Sequence, residues 1–183
     1  MINGIEMLDL ILRRQSDRKY NDRPIETEKL ERILEAGRIA PSACNGQPWK
    51  FVAVTDRKLI ADIADAATEK LSGMNKFSSQ ASVIIAIVRE KSNLSSRVGG
   101  AVKRKDYSYY DIGMAIENIC LQAAAEGIGS CILGWFNEST IKSILQIPRS
   151  KRVALLITLG YSEGELRPKK RKEKGDTISY NKY

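Results

Sequence analysis

At 183 residues the chain is long enough for one domain with a sizeable core, and no apolar run approaches the ~20 residues that span a bilayer. A composition 43% hydrophobic and 28% charged is that of a soluble globular protein, and the complete lack of histidine excludes His-dependent triads and His-ligated metals. The net charge of +8 leaves a nucleic acid, a membrane surface or an anionic ligand as partner classes. Met1 to Asp9 carries acids and lacks the basic and apolar regions of a secretory signal, so a cytoplasmic location is expected. Cys44, Cys120 and Cys131 form no CxxC pair; they read as reduced thiols, with neither a disulfide framework nor a zinc pattern.

Residues 4–15 form an amphipathic helical pattern with Ile5, Leu8, Ile11 and Leu12 on one face. A polar basic segment, Arg13 to Tyr20, follows, and Asp22-Arg23-Pro24 breaks the chain. A second helix is expected from Thr27, as N-cap, to about Ile39, with Leu30, Ile33, Leu34 and Gly37 inward and Pro41 as its stop. Trp49 to Thr55 alternates as a strand. Asp56 can cap a helix running to about Leu71 with Leu59, Ile60, Ile63 and Ala67 inward. Ser82 to Val88 has the pattern of a buried strand. The polar stretch 89–106, with Gly99-Gly100, reads as the longest loop. Tyr107 to Glu126 is the longest helix, with Gly127 at its C-terminal cap. A strand over Ser130–Trp135, a short helix over Glu138–Leu145 and a strand over Arg152–Leu159 complete the elements. From Gly160 the chain leaves as a charged extension that has little apolar content to pack on its own domain. The irregular alternation predicts an α+β fold with a mixed or mainly antiparallel sheet flanked by helices.

Three sets of residues can carry chemistry. Arg14, Ser16 and Arg18 place two guanidinium groups and a hydroxyl just after a helix, suited to phosphate oxygens, though on their own they read first as a solvated helix end. Ser42, Asn45 and Gln47 sit in Pro41-Ser42-Ala43-Cys44-Asn45-Gly46-Gln47-Pro48-Trp49, where hydroxyl and amide groups can read the edge of a heteroaromatic ring or simply make a turn. Gly134 ends an apolar strand, where the missing side chain lets backbone N–H groups approach a planar ligand. Gly127-Ile128-Gly129 is not a GxGxxG in a strand-to-helix turn, so a Rossmann phosphate loop is a poor reading. Cys131 has apolar neighbours and no activating base, and reads as structural. Arg167 to Lys174 holds six basic residues and one acid, either a solvated tail or a partner surface.

Together these pieces resemble the nitroreductase family over nearly the whole chain. RRQSDRKY, LERILEAGRIAPSACNGQPWKFVAV, DIGMAIENICLQAAAEGIGSCILGWF, the LITLGY strand and the RPKKRK tail occur in the family's order. The resemblance implies one nitroreductase-like domain over 1–183, with 161–183 reaching the partner subunit of a homodimer that holds FMN at its interface. Arg14, Ser16 and Arg18 match positions near the flavin's phosphate, ribityl chain and pyrimidine edge. Ser42, Asn45 and Gln47 match the turn supplied by the other subunit. Gly134 and Trp135 match the segment against the ring near N5, and Lys169 and Arg171 match the tail's K-x-R phosphate pair. Trp135 replaces a smaller residue, and Asn75 and Lys76 stay outside the site because their spacing does not align. The implied activity is transfer of electrons from NADH or NADPH through flavin N5 to nitroaromatic, quinone or similar planar acceptors, in a ping-pong cycle without a catalytic side chain or metal. Dehalogenation, flavin fragmentation or flavin storage on the same fold is the alternative. A basic nucleic-acid-binding domain would leave the PSACNGQPW turn unemployed and lacks interleaved aromatics, so no nucleic-acid or membrane partner is expected.

Overall fold

The computed structural model describes residues 3–91, 93 and 105–183; most of the predicted loop 89–106, including Gly99-Gly100, lies outside them. Helix α1 spans Gly4–Arg13 and opens on a capping box in which Asn3 Oδ1 accepts from Glu6 N and the Glu6 carboxylate accepts from Asn3 N. It stops two residues earlier than its periodicity suggests, because Arg14 leaves with extended backbone (ψ 123°). Helix α2, Thr27–Arg38, begins at Thr27 itself; Glu26 occupies the N-cap without a capping side chain. A 3₁₀ turn over Ala43–Asn45 leads into β1, Trp49–Val54.

Helix α3, Arg57–Ala67, is capped by Asp56, whose carboxylate accepts from Leu59 N at 2.8 Å. It ends four residues before the expected Leu71. Thr68 turns extended, and the Glu69 carboxylate accepts from Leu71 N and Ser72 N, so side-chain acceptors take amides that a further helical turn would have used. Leu59, read as inward, lies on the solvent side. Strand β2 is Val83–Arg89, and helix α4, Tyr107–Ala125, closes on Gly127 (φ +74°). Ile128 N donates to Ala123 O and Gly127 N to Ala124 O, the paired bonds of a Schellman motif. Strand β3, Gly129–Leu133, helix α5, Glu138–Ile144, and strand β4, Arg152–Gly160, follow. Strand β3 therefore ends before Gly134 and Trp135, which sequence reading had put inside it.

The sheet runs β1-β2-β4-β3 with every pair antiparallel. Among the described residues the one parallel feature is an isolated bridge between Ser16 and Ser130 at the β3 edge, so the mixed character reduces to that contact. Helices cover both faces. Ile84, Ala86 and Val88 of β2 pack with Ile60 and Ile63 of α3 and Ile141 of α5, whereas Val83, Ile85 and Ile87 pack with Ile33 of α2 and Ile112, Ile116 and Ile119 of α4. A strand buried on both sides must be apolar at every position, which accounts for the unbroken VIIAIV run. Each fully buried isoleucine here contributes roughly 1.5–3 kcal/mol of transfer free energy. Gly37 lets α2 close on α4: a Cβ there would stand 2.7 Å from Ile119 Cγ1 and Cδ1.

Helix α1 differs from the others. Its apolar stripe forms as predicted, but Ile5, Leu8, Ile11 and Leu12 are all exposed and the helix buries no residue. Tyr109, Tyr110 and Met114 of α4 and Ile178, Tyr180 and Tyr183 of the tail add exposed apolar surface. Among the described residues no helix is long and apolar enough to cross a membrane.

Candidate functional site

The segment after α1 is laid against the β3 edge by Asp17 N donating to Ser130 O at 2.9 Å. Tyr20 pins its far end. The ring is buried against Gly160, where a Cβ would stand 2.9 Å from the ring carbons, and its hydroxyl donates to Asp17 O at 2.8 Å and pairs with Thr158 Oγ1 at 2.9 Å. Burial pushes this hydroxyl's pKa far up, so Tyr20 is a neutral anchor. The C-terminal tail then returns alongside: Asn21 N donates to Tyr161 O, Glu163 N to Lys19 O, Arg167 N to Gln15 Oε1, and Lys169 Nζ to Arg14 O.

This pairing brings Arg14, Arg167, Lys169 and Arg171 together from opposite ends of the chain. Desolvation and then the charges of Arg14, Arg171 and Arg167 hold the Lys169 ammonium below its ordinary pKa. Arg14 Nε is buried without a hydrogen bond; Glu117 Oε1 stands 3.5 Å away, an ion pair that leaves the N–H unsatisfied. An orphaned guanidinium donor among mutually repelling cations is the environment a phosphate would relieve, so the residues present fit that part of an FMN. Clefts flank the segment. One, of ≈ 180 Å³, lies between Arg14, Ala124, Gly129 and Leu166. The other, of ≈ 410 Å³, lies between Gln15, Arg18, Lys19 and Arg167. Arg18 is exposed on that second side. Ser16 sits at the β3 bridge, its carbonyl accepting from the Arg167 guanidinium.

The Ser42–Gln47 turn is held elsewhere. Ser42 Oγ accepts from Gln47 N at 3.0 Å, Gln47 Nε2 donates to Asn45 Oδ1 at 3.0 Å, and Ala43 N donates to Oδ1 of the buried Asp111 on α4 at 3.1 Å. Cys44, Asn45 and Gln47 all have positive φ (52°, 52° and 42°), while Gly46 is right-handed (φ −72°). Left-handed backbone at non-glycine residues costs roughly 1–3 kcal/mol each and persists where the surroundings over-determine it, a pattern that gathers at ligand clamps. Trp49 is buried and stacked on Phe51, as core. Among the described residues no hydrogen bond or ion pair joins this turn to the cation cluster.

Gly134 and Trp135 form a third patch. A Cβ on Gly134 would meet only Leu155 Cδ2 at 3.6 Å, an ordinary contact, so the chain's own packing does not demand glycine there. Trp135 is 61% exposed, and its carbonyl accepts from Asn75 Nδ2 at 3.0 Å. Asn75, left out by sequence spacing, also donates to Ala67 O and holds φ +68°, a conformation that asparagine tolerates better than most residues. That tolerance was the available signal. Arg167, Gln15 and Asp17 were likewise passed over, since their roles appear only once the tail is paired. Burial raises the Cys131 thiol and lifts Cys120 to about 11, leaving both inert; Cys44 is exposed, and its backbone carbonyl accepts from Asn93 Nδ2.

The chain matches the family model described as Nitroreductase family over residues 11–76 and 72–161. It is 33% identical over 168 residues to an Archaeoglobus fulgidus protein provisionally named NADH dehydrogenase/NAD(P)H nitroreductase, covering 87% of each chain. The crystal structure of a nitroreductase family protein from Clostridium novyi NT superposes with a TM-score of 0.76 at 34% identity, covering 86% of each chain. A Clostridium difficile R20291 structure named an FMN-dependent nitroreductase gives a TM-score of 0.74 at 26% identity, over 96% of this chain and 99% of that one. The match runs through the β3-edge segment, the strained turn and the sheet that carries both, and on it the chain belongs to the nitroreductase family.

Proposed function

We propose that the protein is an FMN-dependent oxidoreductase that passes electrons from NADH or NADPH to nitroaromatic, quinone or similar planar acceptors, acting as a cytoplasmic homodimer with FMN at the subunit interface. The observation that carries this reading is the cluster of Arg14, Lys169 and Arg171, with an unsatisfied guanidinium N–H and a lysine ammonium disfavoured by desolvation and by its arginine neighbours. The FMN-dependent nitroreductase of Clostridium difficile supports the choice of cofactor.

When bound, FMN supplies hydride transfer at N5; the protein binds, orients and tunes it. Arg14, Lys169 and Arg171 would neutralise the phosphate, and Ser16 would add a neutral donor. Arg18, exposed on the other side of the segment, would stabilise negative charge on the reduced flavin. Gly134 and Trp135 would supply backbone to the ring, with Asn75 holding the Trp135 carbonyl. The Ser42–Gln47 turn would serve the flavin held by the other subunit, in keeping with the lack, among the described residues, of bonds between it and the cluster in its own chain. The exposed α1 stripe is the natural dimer seam. The extension 161–183 reaches the partner; residues up to Lys169 also bond to their own chain, and Ile178, Tyr180 and Tyr183 beyond them are exposed.

Replacing Arg14 or Arg171 by alanine removes charge-assisted hydrogen bonds and weakens FMN binding by roughly 1.5–3 kcal/mol each. Fluorescence titration with FMN checks this, and unchanged affinity in both variants rejects the phosphate roles. Steady-state oxidation of NADH and NADPH with a nitroaromatic and a quinone checks the acceptor class. Consumption of the flavin itself, or release of halide from a halogenated acceptor, would move the protein to another flavin role.

A further inference from the structure

We propose that Gln15 is a positioning residue that latches the C-terminal tail to the segment after α1, holding the phosphate-binding cations of both chain ends in one site. The inference rests on the FMN reading above and deepens it.

The Gln15 side-chain amide imitates a peptide group pairing with a strand. Its Nε2 donates to Glu165 O at 3.0 Å, and its Oε1 accepts from Arg167 N at 3.1 Å and Arg167 Nε at 3.3 Å. A side chain near the N-terminus thus engages both polar groups of an extended tail 150 residues away, as a neighbouring strand would. Its orientation is dictated. A backbone carbonyl only accepts and a backbone N–H only donates, so the amide fits one way round. The buried Asp17 enforces the same choice: its Oδ1 accepts from Gln15 Nε2 at 2.9 Å and from Ser162 Oγ at 2.8 Å, which ties the latch to the end of β4.

The latch opposes a real tendency to open. Arg14, Arg167, Lys169 and Arg171 repel one another, and the tail is charged and poor in apolar side chains that could dock it. The bonds from Lys169 to Arg14 O and from Arg167 to Ser16 O are made by the repelling cations themselves. Beyond the backbone bonds of Asn21 to Tyr161 and Glu163 to Lys19 nearer β4, Gln15 adds a neutral side-chain fastening, half-buried and placed between the two chain ends. Holding the cations in place removes an ordering cost that phosphate binding would otherwise bear.

The test compares Gln15→Ala, Gln15→Glu and Gln15→Asn with wild type in two measurements. The first is the dissociation constant for FMN and for riboflavin, which lacks the phosphate. The second is the rate of trypsin cleavage after the tail's Arg and Lys residues in flavin-free protein. A latch that serves the phosphate predicts about a tenfold loss of FMN affinity in Gln15→Ala with riboflavin affinity unchanged, together with severalfold faster tail cleavage. Gln15→Glu sets a carboxylate against Asp17 and the Glu165 carbonyl and should behave at least as badly. Gln15→Asn keeps the amide one methylene short and should also lose the FMN preference without a general loss of fold. Equal losses for FMN and riboflavin, or wild-type cleavage and affinities in all three variants, overturn the proposal. If wild type binds no FMN while tail cleavage still responds to Gln15, the flavin reading falls and the latch stands; if wild type binds FMN and neither measurement responds to Gln15, the latch falls and the flavin reading stands.

Discussion

Lys169 carries the pH dependence of the site. Its ammonium is disfavoured first by desolvation and then by Arg14, Arg171 and Arg167, so its folded pKa lies below the ordinary lysine value of about 10.4. Between the depressed value and the ordinary one, the unfolded chain binds more protons than the folded chain. Stability of the flavin-free protein therefore rises with pH across that window, and the penalty is fully present below it. A bound phosphate reverses the cause and raises the pKa. FMN binding is accordingly expected to take up protons between the depressed pKa and that of the phosphate-bound state, and Lys169→Met to abolish the uptake; calorimetry over a pH series in two buffers of different ionisation enthalpy measures it. The cations themselves were legible in the sequence as RRxSxR and K-x-R. Gln15, Asp17, Arg167 and Asn75 were not, because each acts through a partner fixed only by long-range pairing, such as Glu165 for Gln15 and the Trp135 carbonyl for Asn75.

Among the elements, glycine positions decide how closely the site is built. Gly160 ends β4 directly against the buried Tyr20 ring, whose hydroxyl is locked by Asp17 and Thr158. Gly160→Ala must displace that ring and with it the segment carrying Arg14 to Arg18; a loss of about 1–3 kcal/mol in denaturant unfolding is expected, with weaker FMN binding. Gly127→Ala forces an alanine into left-handed backbone where a Cβ meets nothing, so only conformational cost of about 1–2 kcal/mol is expected, with FMN affinity retained. The contrast separates steric from torsional glycines. Sequence periodicity read α4, its Gly127 cap and the buried β2 well, since dense apolar patterning and a Schellman glycine act locally. It overran α3 because apolar Leu71 prolongs the pattern, whereas Thr68 and the Glu69 carboxylate stop the helix through bonds that periodicity does not register. It also carried β3 through Gly134 and Trp135, although pairing with β4 stops at Leu133↔Leu156 while β4 itself runs on to Arg152.

For the whole molecule, the proposed assembly of the site from two chains accounts for both the exposed α1 stripe and the separation of the Ser42–Gln47 turn from its own cation cluster. Leu8→Asp places a charge in the exposed stripe and should yield a monomer by analytical ultracentrifugation that has also lost FMN, while leaving the core clusters and the far-UV spectrum unchanged. A monomer that keeps full FMN affinity would separate dimerisation from cofactor binding. The α+β class and the antiparallel sheet followed from the alternation of elements, but the exposed α1 face could not be told from a buried one by its period alone. The central claim, an FMN enzyme reduced by a nicotinamide nucleotide, is tested most directly by the visible spectrum of the protein after incubation with FMN, gel filtration and anaerobic addition of NADH or NADPH. The account predicts a retained flavin spectrum that bleaches with at least one nucleotide and returns on adding a nitroaromatic or a quinone. A colourless protein after gel filtration, or a bound flavin that neither nucleotide bleaches, would contradict it.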